Sequence, residues 1–214
     1  MFINEDKIKV ENVEVAGLET AIRGMRNPMN SWDKSDSFHC RLGFTIGNND
    51  MDLAKRLINA GTEHRKFLRQ IYVGFDLTLP RYLLSEFDTY GWTPKNSCST
   101  MHKLLRKNQP ITTNQFVYHP NDEETLQETI RQLNVLRALY FNSDTTTTER
   151  NEILRRAKSI LPEGFLQKRT VATNYEVLRN MYHQRKNHRL PEWQVICRFI
   201  ETLPYSEQLI VGGK

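Results

Sequence analysis

The sequence lacks several features that assign a chain of 214 residues to a familiar class. No apolar run approaches the ~18–20 residues that a membrane-spanning helix needs, and the polar, acidic N-terminus is unlike a secretory signal. The three cysteines, an odd number, lie far apart at Cys40, Cys98 and Cys197. Neither a disulfide framework nor a CxxC metal site is therefore predicted, and free thiols in a reducing cytoplasm are expected.

The common catalytic and phosphate-binding motifs are missing as well. There is no Walker A loop and no GxGxxG, so two familiar phosphate-binding loops are excluded. HExxH and paired Cys/His spacings are absent, so no metal site is predicted. The absence of a GxSxG elbow argues against an α/β-hydrolase.

The composition is that of a folded protein with a small basic excess. Hydrophobic residues make up 38% of the chain and charged residues 26%, which suits a single domain spanning residues 1–214. The 30 Lys and Arg residues against 25 Asp and Glu residues give a net charge of +5, and many of the cations lie within 150–189. This excess suits a phosphate-bearing partner but does not choose between a nucleotide and a nucleic acid.

Apolar periodicity predicts few strands and several helices. Strands are expected over 7–15, 38–46 and 67–79, the last with alternating apolar residues up to Pro80. Helices are expected over 18–26, 51–60, 121–140, 149–160, 174–188 and 191–202, and directly after Pro80. The fold class that this order favours is α+β, with an antiparallel sheet flanked by helices.

Three polar clusters are candidates for chemistry. Residues 95–102, KNSCSTMH, can present hydroxyls and backbone N–H groups to an anion, or form an ordinary capped loop. The predicted helix 174–188 carries amide, guanidinium and imidazole groups, which suit a nucleotide or simply form a solvated polar face. His64 lies at a helix-to-strand junction, where a histidine is either structural or a ligand contact.

These clusters, in this order, resemble the flavin-dependent thymidylate synthase family. That family has a Gly-His-Glu-like turn, a strand ending in Pro, an Arg-His-Arg helix and a Ser-x-Asn-Glu-x-Ser loop. A later helix carries Asn, Asn and Arg before a Gln-Trp-Glu-like segment. The matching positions, roughly over 50–200, are His64, the strand to Pro80, Asn96, Ser99, Leu161-Pro162, Asn174, Asn180, Arg185, His188 and Glu192-Trp193-Gln194. The chain looks most like the divergent members carried by bacteriophages, which act in the host cytoplasm.

The resemblance implies an activity and its partners. The reaction is the reductive methylation of dUMP to dTMP, with methylene-tetrahydrofolate as carbon donor, NADPH as reductant and FAD as redox cofactor. The family is a homotetramer whose active sites are built from several subunits. No membrane or nucleic-acid partner is implied.

The resemblance also implies a role for individual residues. Arg185 would grip the uracil and favour negative charge on its carbonyl oxygens, which makes it the catalytic candidate. Ser99 would face the phosphate of dUMP, and Lys158 falls where the family places an Arg directed at dUMP. FAD would be held by Asn174, Asn180, His188 and, near the flavin ring, His64.

The chain departs from the family pattern at the Arg-His-Arg triplet. The corresponding residues, 85–90, remove up to two positive charges and add Glu86 and Asp88. A carboxylate near a diphosphate repels it by on the order of 1 kcal/mol at ~4 Å in water. Ser97 and Met101 replace charged residues of the loop. Cations that can compensate are Arg81, Lys95 and Lys103.

Two other functions remain open. A nucleotide-binding relative that has lost flavin chemistry, or an enzyme modifying another pyrimidine nucleotide, is favoured if Glu86 and Asp88 face the ligand. A nucleic-acid binder using the cations of 150–189 should show steeply salt-dependent DNA binding.

Overall fold

The computed structural model describes residues 5–41 and 43–212. The strands are β1 Lys9–Ala16, β2 Phe38–Cys40, β3 Gly43–Thr45, β4 Tyr72–Pro80, β5 Lys95–Ser97 and β6 Leu166–Asn174. The helices are α1 Leu18–Gly24, α2 Asn48–Ala60, α3 Arg81–Phe87, α4 Thr100–Lys103, α5 Glu123–Tyr140, α6 Thr147–Ser159, α7 Tyr175–Arg185 and α8 Glu192–Glu201.

Four strands form one sheet in the order β1-β4-β6-β5, and β2 and β3 form a separate antiparallel pair. The β5–β6 pairing runs antiparallel, because Cys98 N–H donates to Lys168 O and Ala172 N–H donates to Pro94 O. The predicted fold class, an antiparallel sheet flanked by helices, is confirmed.

The chain divides into two compact units. Unit 1 comprises the described residues among 1–9, 77–88 and 96–169, and unit 2 those among 10–76, 89–95 and 170–214. A single domain over 1–214 stays a prediction.

The core of unit 1 lies between α5 and α6. Leu133 and Ala157 are fully buried there, and Phe116 packs edge-on against Phe165. The N-terminus of α6 is fixed by a capping box, in which Glu149 N–H donates to Thr146 Oγ1 at 3.4 Å and the Glu149 carboxylate accepts from Thr146 N–H at 2.8 Å. The polar run before the predicted helix therefore sets where α6 begins.

Unit 2 contains a buried ion pair between α1 and α2. Arg26 follows α1, and its Nε–H donates to Asp50 Oδ1 at 2.5 Å, with the two side chains 4% and 0% exposed. The other Asp50 oxygen accepts from the hydroxyls of Ser35 and Ser37 at 2.6 and 2.5 Å. Asp50 thus fixes the loop before β2, for which the sequence pattern predicts neither helix nor strand.

Two predicted strands require correction. The strand expected over 67–79 begins at Tyr72, because Arg65–Gln70 forms a 3₁₀ helix that buries the adjacent Phe67 and Leu68. The expected strand over 38–46 is instead the antiparallel pair β2–β3, and Leu42, between them in sequence, lies outside the described residues. Strand β6 is not predicted by the sequence pattern.

Candidate functional site

The helix α7, in unit 2, carries or borders three of the predicted cofactor residues, Asn174, Asn180 and His188. Asn174 is its N-cap, and the carboxamide oxygen accepts from Val177 N–H at 3.0 Å. Asn180 lies exposed along the same helix, where its oxygen accepts from Arg65 Nη2 at 3.4 Å. His64 is the exposed residue directly before Arg65. The structure thus brings Asn180 into contact with the arginine that directly follows His64.

The neighbourhood of Arg65 is strongly cationic. The buried Glu176 carboxylate receives both Arg65, whose Nε is 3.5 Å away, and Arg69, so two guanidinium groups share one carboxylate. Arg179 is 2% exposed and donates to the carbonyl oxygens of Ile210 and Gly212 at 2.6 Å. Burial and then the charge of Arg65 lower the pKa of Arg179. A positive potential at this face of α7 favours an anion.

His183, one turn from Arg179 along α7, is affected by the same charges. Burial, followed by Arg179, Lys186 and Arg65, lowers its pKa, against a hydrogen bond with Ile210 O at 3.1 Å that raises it. This shift favours the neutral imidazole, whose contact with Ile210 O links α7 to the C-terminal segment.

The end of α7 presents Arg185 on an aromatic support. Its guanidinium carbon lies 4.7 Å from the centre of the buried Trp193 ring and 5.7 Å from that of Tyr90. Arg185 Nε–H also donates to the Tyr90 hydroxyl at 2.9 Å. These contacts fix the plane of a half-buried guanidinium, which is the group best suited to bind planar acceptors through its edge.

His188 closes the same cluster from the loop after α7. Its Nδ1 accepts from Leu190 N–H at 3.2 Å, and its ring stands edge-on to Trp193 with centroids 6.1 Å apart. Gln194 donates to Arg185 O at 3.4 Å. Trp193 therefore orders both Arg185 and His188.

Unit 1 holds the other predicted residues, around a cavity of about 320 Å³. Ser99 lines it and precedes α4, with which its hydroxyl makes no capping hydrogen bond. The cavity also contains the cations Lys103, Arg106 and Lys168. Hydroxyl and cationic groups around a cavity of this size suit a phosphate. The KNSCSTMH segment is thus a strand and a short helix bordering a cavity.

Lys158 lies on α6, where its ammonium nitrogen is 3.1 Å from Met101 Sδ. Met101 follows Ser99 by two positions in the chain. Lys158 is therefore adjacent to the segment that carries Ser99, which it contacts through the Met101 thioether.

The acidic residues that replace the expected Arg-His-Arg triplet have their own contacts. Asp88 accepts from Arg169 Nη1 at 2.6 Å, and Arg169 is 7% exposed. Glu86 is half-buried on α3. The repulsion expected from Asp88 is therefore reduced, because Arg169 neutralises its charge.

Several groups at these sites are not predicted by the sequence. Tyr90 and Arg65 contact predicted residues through space, and Arg106 and Lys168 join Ser99 at the cavity. Two features of the sequence point to such contacts. Tyr90 is an aromatic residue inside the segment that lacks the triplet, and Arg65 is a cation directly after His64.

The described residues contain neither a metal-binding cluster nor a membrane-spanning helix. Across 5–41 and 43–212, no cluster of three His, Cys, Asp or Glu side chains that can hold a metal ion occurs. Within the same ranges, no helix has the length and apolar character needed to cross a membrane. The described cysteines are free thiols, with Cys40 and Cys98 exposed and Cys197 buried.

Comparison with solved structures identifies the fold. The flavin-dependent thymidylate synthase ThyX from Helicobacter pylori, complexed with FAD and dUMP, matches with a TM-score of 0.72 and 22% identity, covering 94% of this chain and 97% of that one. A second structure of the same enzyme with FAD and dUMP gives 0.72 and 21%, covering 95% and 97%. The UMP/dUMP methylase PolB from Streptomyces cacaoi, bound with 5-Br dUMP, gives 0.60 and 15%, covering 91% and 88%.

The chain therefore has the flavin-dependent thymidylate synthase fold, which confirms the resemblance seen in the sequence at the level of the fold. No protein-family model matches the sequence, and no curated protein matches it. At 22% identity or less, these likenesses show the fold alone, and activity is a separate question.

Proposed function

We propose that the chain is a flavin-dependent enzyme that methylates the pyrimidine ring of dUMP to give dTMP. The observation that carries the proposal is the guanidinium of Arg185, oriented by Tyr90 and Trp193 at the end of the helix that also bears Asn174 and Asn180. Amide and guanidinium groups in fixed orientation are what recognition of a pyrimidine nucleotide requires.

Arg185 is assigned to the pyrimidine. Its edge donates hydrogen bonds to the carbonyl oxygens of uracil, and these bonds strengthen as negative charge develops on the ring. A donor that is held in place before the reaction needs no reorganisation, so it stabilises the transition state more than the bound substrate.

The phosphate of dUMP is assigned to the cavity of unit 1, in an active site that draws on more than one subunit of the proposed homotetramer. The Ser99 hydroxyl donates to a phosphate oxygen, while Lys103, Arg106 and Lys168 supply charge. Lys158 adds a further cation near this segment, although an ammonium lacks the bidentate fork of an arginine.

FAD is assigned to the cationic face of α7, and the residues there fit it. Arg65 and Arg69 share one carboxylate, which leaves a positive potential for the diphosphate, and Asn180 and His64 offer polar contacts beside Arg65. Asn174 and His188 complete the proposed set. Bound FAD would relay reducing equivalents from NADPH, the proposed reductant, and methylene-tetrahydrofolate is the proposed carbon donor. The proposed assembly is a homotetramer whose active sites draw on several subunits.

Loading with FAD, desalting and recording the visible spectrum tests this assignment. We expect oxidised flavin to be retained, and we expect Asn180→Ala to weaken FAD binding by about tenfold through loss of one polar contact beside Arg65. Asn187→Ala is the matched control, an exposed asparagine after the same helix, and should bind FAD as the unmodified protein does. A colourless protein after loading contradicts the flavin assignment.

A nucleotide-binding protein without flavin chemistry is the second candidate. The absence of the Arg-His-Arg triplet favours it, since that segment contributes Glu86 and Asp88 in place of cations. It predicts that dUMP binds to the protein with no retained flavin. Comparing dUMP with UMP also tests whether the substrate is another pyrimidine nucleotide, since the fold is shared with a UMP/dUMP methylase.

A further inference from the structure

The Tyr90 hydroxyl stands between two side chains of α7. It accepts from Arg185 Nε–H at 2.9 Å and donates to Gln184 Oε1 at 3.0 Å. One hydroxyl can satisfy both bonds, because it offers a single donor and two acceptor lone pairs. Since its proton is directed to Gln184, an acceptor lone pair is available for the arginine.

Tyr90 is itself held in place. The Thr93 hydroxyl donates to Tyr90 O at 2.7 Å, and Thr93 is only 6% exposed. The Tyr90 ring packs edge-on against Trp193 with centroids 6.1 Å apart. Because its backbone and its ring are both restrained, Tyr90 holds its hydroxyl at a defined position beside Arg185.

Trp193 and Tyr90 restrict different movements of Arg185. The indole of Trp193, 4.7 Å from the guanidinium carbon, restricts the tilt of the guanidinium plane. The hydrogen bond at Nε restricts rotation within that plane. Together the two contacts fix the orientation of the guanidinium, which Trp193 alone does not.

We propose that Tyr90 is a positioning residue for Arg185, and that its hydroxyl fixes the edge that binds the nucleotide. The inference rests on the proposed function, because it concerns the same arginine. In the segment where the resemblance implies a cationic triplet, this chain has Tyr90, whose hydroxyl contacts the cation of Arg185.

Tyr90→Phe removes this hydroxyl and keeps the ring. We expect the affinity for dUMP, measured by titration calorimetry, to fall about tenfold, because a hydrogen bond to a charged group is lost. Tyr72→Phe, at an exposed tyrosine of β4, is the matched control and should leave the affinity unchanged. Thermal unfolding of both variants verifies that each is folded.

A double-mutant cycle separates positioning from a general structural effect. In an Arg185→Gln background, Tyr90→Phe should change dUMP affinity by less than about twofold, because the group it positions is gone. An equal loss in both backgrounds, or no loss in either, overturns the proposal.

Failure of the proposed function gives a different result. If the unmodified protein binds no dUMP, the same cycle is run on the free energy of unfolding. The positioning contact then predicts that the two substitutions are non-additive, and additive values overturn it.

Discussion

Arg185→Ala is expected to lower kcat/KM for dUMP methylation by about 10²- to 10³-fold while the protein stays folded. The substitution removes a prearranged donor at the position where negative charge develops, and losses of this size follow from removing one such donor. Arg185 is half-buried on the surface of Trp193, so its loss leaves the fully buried core in place. Steady-state kinetics with varied dUMP measures the effect.

Arg189→Ala is the control for this prediction. Arg189 is exposed four positions later, and its removal changes the net charge by the same amount. A reduction shared by both variants would indicate a general effect of charge. Turnover by Arg185→Ala equal to that of the unmodified protein contradicts the role of this arginine.

Asp50→Ala is expected to lower the free energy of unfolding by about 3–5 kcal/mol. It leaves the Arg26 guanidinium, 4% exposed, without its carboxylate partner, and an uncompensated buried charge is costly. The hydroxyls of Ser35 and Ser37 also lose their acceptor. Urea denaturation measures the change, and Asp52→Ala, at an exposed position of the same helix, should change it by less than about 0.5 kcal/mol.

The same carboxylate predicts a pH dependence. Burial alone raises the pKa of Asp50, but hydrogen bonds from Ser35, Ser37 and Arg26 and the charge of Arg26 outweigh it, so the pKa lies below the ordinary value of 3.8. Its stabilising contribution is therefore present above that ordinary value and is lost as the pH falls through the folded-state pKa. Asp50→Ala should lack this part of the acid dependence, and an unchanged acid profile would contradict the assignment.

The sequence predicted the elements whose patterns are local. The alternation through Ile71, Val73, Phe75, Leu77 and Leu79 is confirmed, since all five are buried. The helices α5, α6, α7 and α8 lie where apolar periodicity indicated. These elements follow from spacing along the chain, which a sequence displays directly.

Strand β6 was missed because its inward positions do not look apolar. Arg169, Val171 and Thr173 are buried on alternate positions, but only Val171 carries a hydrophobic side chain. Arg169 occupies its position through the ion pair with Asp88, 81 residues away in sequence. Such a partner is visible only in three dimensions, so periodicity cannot detect the strand.

The residues of the candidate site likewise fall into those that local spacing predicts and those that depend on long-range contacts. Arg185, Asn174 and Asn180 emerge from spacing on one helix together with the resemblance, whereas Tyr90 contacts Arg185 across 95 residues of sequence. The 3₁₀ helix Arg65–Gln70, which places Arg65 beside Asn180, was read as the start of a strand because Phe67 and Leu68 are apolar. Long-range contacts and short 3₁₀ segments leave little trace in a single sequence.

Formation of dTMP is the most direct test of the central claim, that this chain methylates dUMP with a flavin. FAD-loaded protein is incubated with dUMP, methylene-tetrahydrofolate and NADPH, and the nucleotides are analysed by mass spectrometry, with Arg185→Ala in parallel. We predict dTMP from the unmodified protein, dependent on FAD and strongly reduced in the variant. Retained flavin and bound dUMP without any dTMP would contradict the claim.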